Sequence, residues 1–407
     1  MGTVSASPGF YYIDLLVLLV ALSMGVILFI LWRRLLKKVK GSGSEPLIAF
    51  LSRISLPAFF LVAALALKLN VVREALSLSE KFSSYVEAAV VFANSITGLE
   101  EDFLRAASGK LFPADHGAYR ILLEEHLFFD VIDPGMDLSP YKLIILPDAA
   151  KLDDRFAAKL NAFLRAGGAI ICSAWSGVHY QTGRFALPIP LTVDGAAPVV
   201  PEFILAQGEF LNRLPDTPIV MYETGLAVRP AGDVETLAQT YRPYFNREAG
   251  RFCSHQHWPV EGPSGRPAVV RAGPMIYFAH PIFSAYSRYA VKHYKQMVAN
   301  AIDLLMPQRL LRSNLPSTAH VDLLAGGDKI VLSVLHYVPE KRSDRVATIE
   351  EGLPLIDVRL DLRTPSQVKE VHALLPEDQK IKWFASGRSV KIDVDKMVGK
   401  LFLELTL

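Results

Sequence analysis

Apolar and polar positions in the middle of the chain follow a pattern that predicts strands and helices in turn. The stretches "YKLIILPDAA" (residues 141–150) and "AIICSAWSG" (residues 169–177) are continuous apolar runs that end in turn residues, which is typical of strands buried on both faces. Between them, "LDDRFAAKLNAFLRAGG" ends on glycine and places four apolar side chains on one helix face: Leu152, Phe156, Leu160 and Phe163. This succession predicts a parallel, flavodoxin-like α/β sheet.

The hydrophobic period changes after "RLLRSNLPSTA" (residues 309–319). Short runs such as "SVKIDVD" and "KLFLELTL" alternate apolar and polar residues and are separated by Gly, Pro and Asp. A period of two with this punctuation is typical of strands that bury one face. Residues 313–407 are therefore predicted to form an antiparallel β-sandwich.

The N-terminal part of the chain carries two long apolar runs. The first, residues 11–32, has the length of a helix that crosses a bilayer, with aromatic residues at both ends. A cleaved signal peptide is the alternative, but its basic cluster would precede the apolar core, whereas "RRLLKKVK" follows it. The second run, residues 47–69, is also long enough to span, and Pro57 is tolerated in such helices. Two transmembrane helices are predicted.

The loop between the two apolar runs is rich in basic residues, which indicates that it is cytoplasmic: Arg33, Arg34, Lys37, Lys38, Lys40 and Arg53. The protein is then expected in the cell membrane, with everything after Leu69 extracytoplasmic. A third stretch, residues 85–96, is short and contains Glu87 and Asn94, so we interpret it as an amphipathic or interfacial helix. If it spans instead, the rest of the chain moves to the cytoplasm.

Composition excludes some classes of protein. The chain has 407 residues, a net charge of +2 and 21% charged residues, so no basic field is present to recruit nucleic acid. Two cysteines, Cys172 and Cys253, are too few for a disulfide framework. The mean hydropathy of +0.27 is high, because apolar residues are concentrated near the N-terminus.

Cysteine and histidine alternate in "RFCSHQHWPV" (residues 251–260). On a strand, Cys253, His255 and His257 would point to one face. A metal site would need a further ligand, for which His179 and Glu261 are candidates, and the spacing matches no established zinc motif. For these three residues, our first interpretation is a structural role, and our second is contact with a ligand or sugar. We therefore name Cys253, His255, His257 and His179 as candidate binding residues, with no metal and no cofactor.

Amidotransferase chemistry needs a nucleophile on a strained strand-to-helix turn and a histidine paired with an acid. Cys172 lies inside an apolar strand and is followed by serine, so we interpret it as a buried structural residue. His280 in "YFAHPIF" has no acid beside it in the sequence. No pair of carboxylates stands out for glycosidic acid–base work. The catalytic residues are unknown.

Several long segments resemble the C-terminal half of a glycoside-hydrolase-like family. They are "DLSPYKLIILPDAAKLDDRFAAKLNAFLRAGGAIICS", "FCSHQHWP", "RLLRSNLPST" and "VLHYVPEKRSDRVATIEEGLPLIDVRLDLR", within residues 113–407. The resemblance implies a β-galactosidase-trimerisation-type domain, with a class I glutamine-amidotransferase-like fold, followed by a terminal β-sandwich. In the family a catalytic (β/α)8 barrel comes first, and we expect no room for one of about 250 residues in this chain.

The resemblance defines the expected domains: a membrane region at 1–110, an α/β domain at 111–312 and a sandwich at 313–407. Only "KLF" (residues 110–112) is available as the first strand of the α/β domain. The N-terminal region weakly resembles small-conductance mechanosensitive channels. A fused or truncated reading frame is a further possibility that one sequence leaves open.

The function expected from this is a membrane-anchored, non-catalytic protein that serves assembly or carbohydrate-related binding, as a homo-oligomer such as a trimer. One alternative is a glycan-acting hydrolase, or a hydrolase subunit that needs a separate catalytic barrel as its partner. The other alternative is a subunit of a membrane channel or transporter. No nucleic-acid partner is expected.

Overall fold

The structure is a computed structural model that describes residues 82–92, 112–246, 250, 258–343 and 346–407. The predicted transmembrane segments, residues 11–32 and 47–69, and the channel-like region lie outside the described residues. Within the described ranges, none of the helices has the length and apolar character needed to span a bilayer. Residues Ser84–Leu407 belong to one compact unit that is rich in β-structure.

The chain first forms the elements β1 (Ser83–Ser84), β2 (Ala88–Val91), α1 (Pro113–Glu124), β3 (Phe129–Ile132), β4 (Leu143–Leu146), α2 (Asp154–Arg165) and β5 (Ala169–Ser173). The middle part contains β6 (Leu191–Ala196), β7 (Glu202–Ala206), a 3₁₀ helix (Gly208–Leu211), β8 (Ile219–Met221), β9 (Leu226–Pro230), β10 (Glu235–Pro243), β11 (Val260–Ala272), β12 (Met275–Phe278), α3 (Ile282–Tyr289) and α4 (Lys292–Leu305).

The last part is all β-structure and consists of β13 (Leu311–Ser313), β14 (Ala319–Gly326), β15 (Lys329–His336), β16 (Glu340–Lys341), β17 (Ala347–Thr348), β18 (Pro354–Arg363), β19 (Glu370–Leu375), β20 (Lys382–Ser386), β21 (Ser389–Val398) and β22 (Lys400–Thr406).

A nine-stranded sheet with the order β3-β2-β4-β5-β12-β11-β10-β7-β8 forms the α/β layer. The strands β3, β2, β4, β5 and β12 are parallel, and the remaining strands extend the sheet in antiparallel fashion. Within the parallel part, the first strand in sequence lies between the second and the third, which is the order of a flavodoxin-like doubly wound sheet. This arrangement is the parallel α/β sheet that the apolar runs predict.

The strand β2, next to the edge strand β3, comes from residues that we expected in an amphipathic helix at 85–96. That prediction is wrong where the structure describes the stretch, since Ala88–Val91 is a fully buried strand with parallel neighbours on both sides. The first strand of the sheet is β2 and not the expected "KLF", of which only Phe112 is among the described residues, directly before α1. A short apolar run does not distinguish a buried strand from a helix, and pairing with two neighbours decides it. β2 therefore lies before the predicted start of the α/β domain at residue 111.

The parallel strands are covered on both faces. Alternate residues of β2 point to opposite sides, so Ala88 and Val90 join a core with α1, α3 and α4, and Ala89 and Val91 join a second core with α2. Helix α2 begins where the sequence predicts it, since the Asp153 carboxylate accepts the Phe156 N–H at 2.7 Å. Burial of each valine contributes roughly 1.5–3 kcal/mol to stability.

The terminal sandwich packs a five-stranded sheet, β1-β14-β15-β22-β19, and a four-stranded sheet, β13-β18-β21-β20, around a third apolar core. The predicted alternation is evident in β15, where Ile330, Leu332 and Val334 are buried and the residues between them are partly exposed. The first strand of the four-stranded sheet, β13, begins at Leu311, close to the predicted boundary at residue 313.

Helices α1 and α3 approach each other closely at Gly117. A β-carbon at this position would lie 1.9 Å from the backbone oxygen of Phe283 in α3. Backbone atoms have little freedom to move away, so the contact requires glycine.

We expect Gly117→Ala to lower the free energy of unfolding by about 3 kcal/mol, because the added methyl group forces the two helices apart. Gly262→Ala is the matched control, since a β-carbon there meets no atom within 4 Å. Urea unfolding of both variants measures the difference. Equal stability of the two variants would show that the helix pair adapts.

Candidate functional site

The carboxyl edge of the parallel sheet is the place where doubly wound folds bind ligands. At this edge, a polar residue stands at or near the end of each of three strands: Asp148 shortly after β4, Ser173 at the end of β5 and His280 shortly after β12. All three are buried. Because neighbouring strands end at this edge, the fold brings together residues that are far apart in the sequence.

Asp148 connects β4, β5 and α3. Its carboxylate accepts the Ser173 hydroxyl at 2.6 Å and the Ser284 N–H at 2.7 Å, and the Phe283 N–H lies at 3.4 Å. Burial raises the pKa of Asp148, while these hydrogen bonds lower it. Its oxygens thus satisfy free backbone N–H groups in the first turn of α3. The arrangement holds the edge together and leaves this carboxylate little capacity for a ligand.

The turn after β5 has the backbone strain of a nucleophile position without the nucleophile. Ala174 adopts a positive φ of 48°, which is rare for a residue with a side chain. Its N–H donates to Phe278 O, and its carbonyl accepts the Tyr277 hydroxyl, both at 2.8 Å. Turns follow instead of a helix. The side chain at this strained point is a methyl group, which has no nucleophilic atom.

Cys172 lies two residues before this turn, in β5, and is fully buried, as predicted. Burial raises the pKa of its thiol far above the usual range. A thiol that stays protonated and has no contact with solvent is inert as a nucleophile. Cys172 therefore packs as a small apolar side chain.

His280 has an acidic partner in the fold, although no acid lies beside it in the sequence. Its Nε2 lies 2.9 Å from Glu202 Oε2, and Arg266 donates to the other oxygen of Glu202. Both members of the histidine–acid pair are almost completely buried, and His280 Nδ1 has no partner among the described residues. Glu202 is 78 residues away in sequence, and no local signal indicates the pairing.

His179, a predicted binding residue, makes local contacts. Its Nδ1 accepts the N–H groups of Gln181 at 3.2 Å and Thr182 at 3.3 Å, which leaves the proton on Nε2, 3.3 Å from Asp154. Its ring also stacks on Tyr180. These contacts stabilise the loop that follows β5.

The other predicted binding residues, Cys253, His255 and His257, lie outside the described residues. Glu261, the further candidate ligand, pairs with Arg242. In the part of the chain that the structure describes, no three His, Cys, Asp or Glu side chains are close enough together to hold a metal ion.

Comparison with known families and structures identifies related folds. Residues 115–190 match the β-galactosidase trimerisation domain family. The α-L-fucosidase isoenzyme 2 from Paenibacillus thiaminolyticus is 30% identical with a TM-score of 0.75, over 86% of this chain and 52% of the fucosidase. A β-galactosidase from Bacillus circulans sp. alkalophilus is 16% identical with a TM-score of 0.48, over 79% of this chain and 42% of that chain. No curated protein matches.

The chain thus spans about half the length of the fucosidase that it resembles. A ThuA-like protein from Bacteroides uniformis aligns with a TM-score of 0.38 at 12% identity, over 56% of this chain and 94% of that protein. The trimerisation-domain match lies within residues 113–407, the region that the resemblance in the sequence indicates. The C-terminal region of this protein is glycoside-hydrolase-related and contains a β-galactosidase trimerisation domain.

Proposed function

We propose that this chain is a membrane-anchored, non-catalytic member of a glycoside-hydrolase-type assembly, and that its α/β layer joins it to further copies of itself. The observation that carries the non-catalytic role is Ala174, because the strained turn at the carboxyl edge presents a methyl group. Asp148 and the His280–Glu202 pair at the same edge are buried and engaged in bonds within the fold.

The surface that supports assembly lies at the edge of the nine-stranded sheet formed by β3. Among the described strands, β3 has a neighbour only on one side, so it presents a row of unpaired backbone groups. Val131 in this strand is 47% exposed, and Leu123 at the end of α1 is 39% exposed. On the same two elements, Tyr119 of α1 stacks on Phe129 of β3 with ring centroids 6.5 Å apart.

These four residues, Tyr119, Leu123, Phe129 and Val131, form what we call the β3 surface. All four lie in the stretch that matches the trimerisation domain family, residues 115–190. A half-exposed apolar strip beside an open sheet edge suits a protein partner better than water. A common membrane anchor would also raise the local concentration of identical chains. We therefore assign the β3 surface to contacts between copies.

Carbohydrate-related binding is a further role for the sandwich. Phe384 in β20 is 68% exposed and lies opposite Lys391 of β21, whose neighbour on β18 is Asp361. An exposed aromatic ring beside polar side chains suits a sugar ring, which has an apolar C–H face and hydroxyl groups that need hydrogen bonds. This surface is on the outer side of the four-stranded sheet.

The similarity to the fucosidase favours a second candidate function. About half of that enzyme has no counterpart in this chain. A chain of this type would act as one subunit of a hydrolase whose catalytic barrel is a separate polypeptide. Co-purification of a barrel protein that confers glycosidase activity on the complex would favour this candidate over assembly alone.

The assembly role predicts that the full chain, purified in detergent, forms oligomers that Val131→Lys disrupts. A charge at the β3 surface would be desolvated in the oligomer but tolerated in the monomer, where Val131 is half exposed. Light scattering at micromolar concentration measures the change. Leu324→Lys in β14 is the control, since this exposed apolar residue lies in the sandwich. A monomeric wild-type chain would refute the assembly role.

The non-catalytic role predicts that the full chain hydrolyses neither aryl glycosides nor glutamine above background. The physical reason is that the described carboxyl edge offers no accessible nucleophile and no exposed acid–base pair. Chromogenic and ammonia-release assays measure the two activities. Turnover that Cys172→Ala or His255→Ala abolishes, with the fold intact, would overturn this role.

The membrane anchor predicts that a reporter fused after Leu407 is extracytoplasmic, because the basic loop between residues 33 and 53 should stay in the cytoplasm. Alkaline phosphatase and fluorescent-protein fusions at the same site form a matched pair, because the former is active only outside and the latter only inside. Cysteine labelling that reaches residues beyond 109 only from the cytoplasm would contradict this orientation.

A further inference from the structure

Glu87 is a buried carboxylic acid at the junction between the α/β sheet and the sandwich. It directly precedes β2, and its residue surface is only 1% exposed. Its backbone is fixed in the sheet, because its N–H donates to Phe128 O at 3.1 Å and its carbonyl accepts the Lys142 N–H at 2.9 Å. The position of the side chain is therefore set by the strand.

The carboxyl group of Glu87 bonds to the segment that enters the sandwich. Its Oε2 accepts the Leu310 N–H at 2.7 Å, whereas its Oε1 has no partner among the described residues. Leu310 belongs to the sandwich core, and its own carbonyl accepts the Arg363 N–H of β18 at 2.7 Å. Oε2 of Glu87 thus connects the start of β2 with the sandwich.

His126 makes a second bridge across the same junction. It lies two residues after α1, adopts a φ of 55° and is 8% exposed. Its Nε2 lies 3.1 Å from the carbonyl oxygen of Pro316, and its Nδ1 lies 3.4 Å from the hydroxyl of Ser313, the last residue of β13. The neutral ring with its proton on Nε2 satisfies both contacts.

Burial favours the neutral form of both bridging groups, because it disfavours charge. For Glu87, burial raises the pKa to about 7, and the positive charges of Lys142, Arg309 and Arg312 oppose the rise. For His126, burial lowers the pKa below its usual 6.5, with smaller effects from Lys295 and His320, while the carbonyls of Pro316 and Ala319 oppose the shift. Beside them, burial also raises the pKa of Glu125, which faces Arg309, Lys295, Asp303 and Arg213.

The two groups respond to pH in opposite directions. When the junction opens, Glu87 regains its usual pKa of 4.5, so its contribution is complete below pH 4.5 and is lost as the pH rises through about 7. His126 regains its usual 6.5 on opening, so its contribution is complete above pH 6.5 and is lost as the pH falls through its lowered pKa. Each group alone changes the opening equilibrium by about tenfold per pH unit at most.

We propose that Glu87 and His126 form a pH-compensated junction, in which the opposite titrations of the two groups keep the sandwich attached to the α/β sheet with nearly constant strength in mild acid. The compensation covers the range between the lowered pKa of His126 and pH 6.5, where opening takes up one proton at His126 and releases one at Glu87. Above this range only Glu87 titrates, and the junction weakens toward pH 7.

The Leu310 amide reports the opening directly, because Glu87 accepts its hydrogen. Hydrogen exchange of the full chain, read by mass spectrometry over residues 308–316 and corrected for intrinsic rates, gives its protection factor. The peptide over β4 reports global unfolding. In the wild type we expect protection at residues 308–316 to change less between pH 5.5 and 6.5 than it does in a variant that lacks either titrating group.

Single substitutions should separate the two opposite pH dependences of the protection factor. Glu87→Gln keeps an oxygen acceptor but cannot ionise, so protection should rise with pH, up to about tenfold per unit. His126→Asn tolerates the positive φ and cannot ionise, so protection should fall by up to about tenfold per unit. In the double variant, Glu87→Gln with His126→Asn, protection should again change little with pH. His372→Asn on the exposed face of β19 is the control and should match the wild type.

Two results would overturn the proposal. The first is a wild-type protection factor that changes tenfold over this range, and the second is single variants with the same pH dependence as the wild type. If a variant fails to fold, the ring-proton titration of His126 in the wild-type chain decides. A midpoint below 6.5 supports a neutral bridge, and a midpoint at or above 6.5 refutes it.

Discussion

The parallel strands β2, β4, β5 and β12 have two apolar faces, and the need to cover both of them determines the arrangement of the α/β layer. Helices α1, α3 and α4 cover one face, and α2 with the loops after β5 covers the other. A sheet of this kind has no solvent-facing side on which polar residues could alternate with apolar ones. Its polar residues are therefore confined to the strand ends.

The confinement of polar groups to the strand ends explains why the carboxyl edge resembles a catalytic site. Asp148, Ser173 and His280 lie close to this edge because adjacent parallel strands end there. In this protein their hydrogen bonds are made within the fold: Asp148 holds α3, and His280 holds Glu202. With an alanine at the strained turn, the same geometry stabilises the layer and supports a non-catalytic role.

The surfaces that we propose for function lie on the outside of the α/β layer. Among the described strands, the sheet order gives β3 a neighbour on one side only, and its apolar residues lie within the trimerisation-domain match. Directly before β2, the buried side chain of Glu87 bonds to the start of the sandwich, and the buried side chain of His126 contacts it nearby. The surfaces that we propose for assembly, for sugar contact and for attachment of the sandwich are thus three separate parts of the molecule.

The sequence alone was sufficient for the elements with strong local patterns. The helix face of Leu152, Phe156, Leu160 and Phe163 identifies α2, and the alternation in β15 and β21 identifies the sandwich, because each pattern is complete within one element. The resemblance also pointed to the trimerisation domain, which the comparison confirms at residues 115–190. Cys172 was recognised as buried from its apolar neighbours.

Only the tertiary structure decided the identity of β2 and the pairing of His280. The four residues of β2 fit a helix or a strand, and the two parallel neighbours that make it a strand come from residues 129–132 and 143–146. Glu202 meets His280 across 78 positions, and Glu87 meets Leu310 across 223. Local patterns carry no record of such contacts, because hydrogen bonds between distant segments exist only once the chain has folded and excluded water from them.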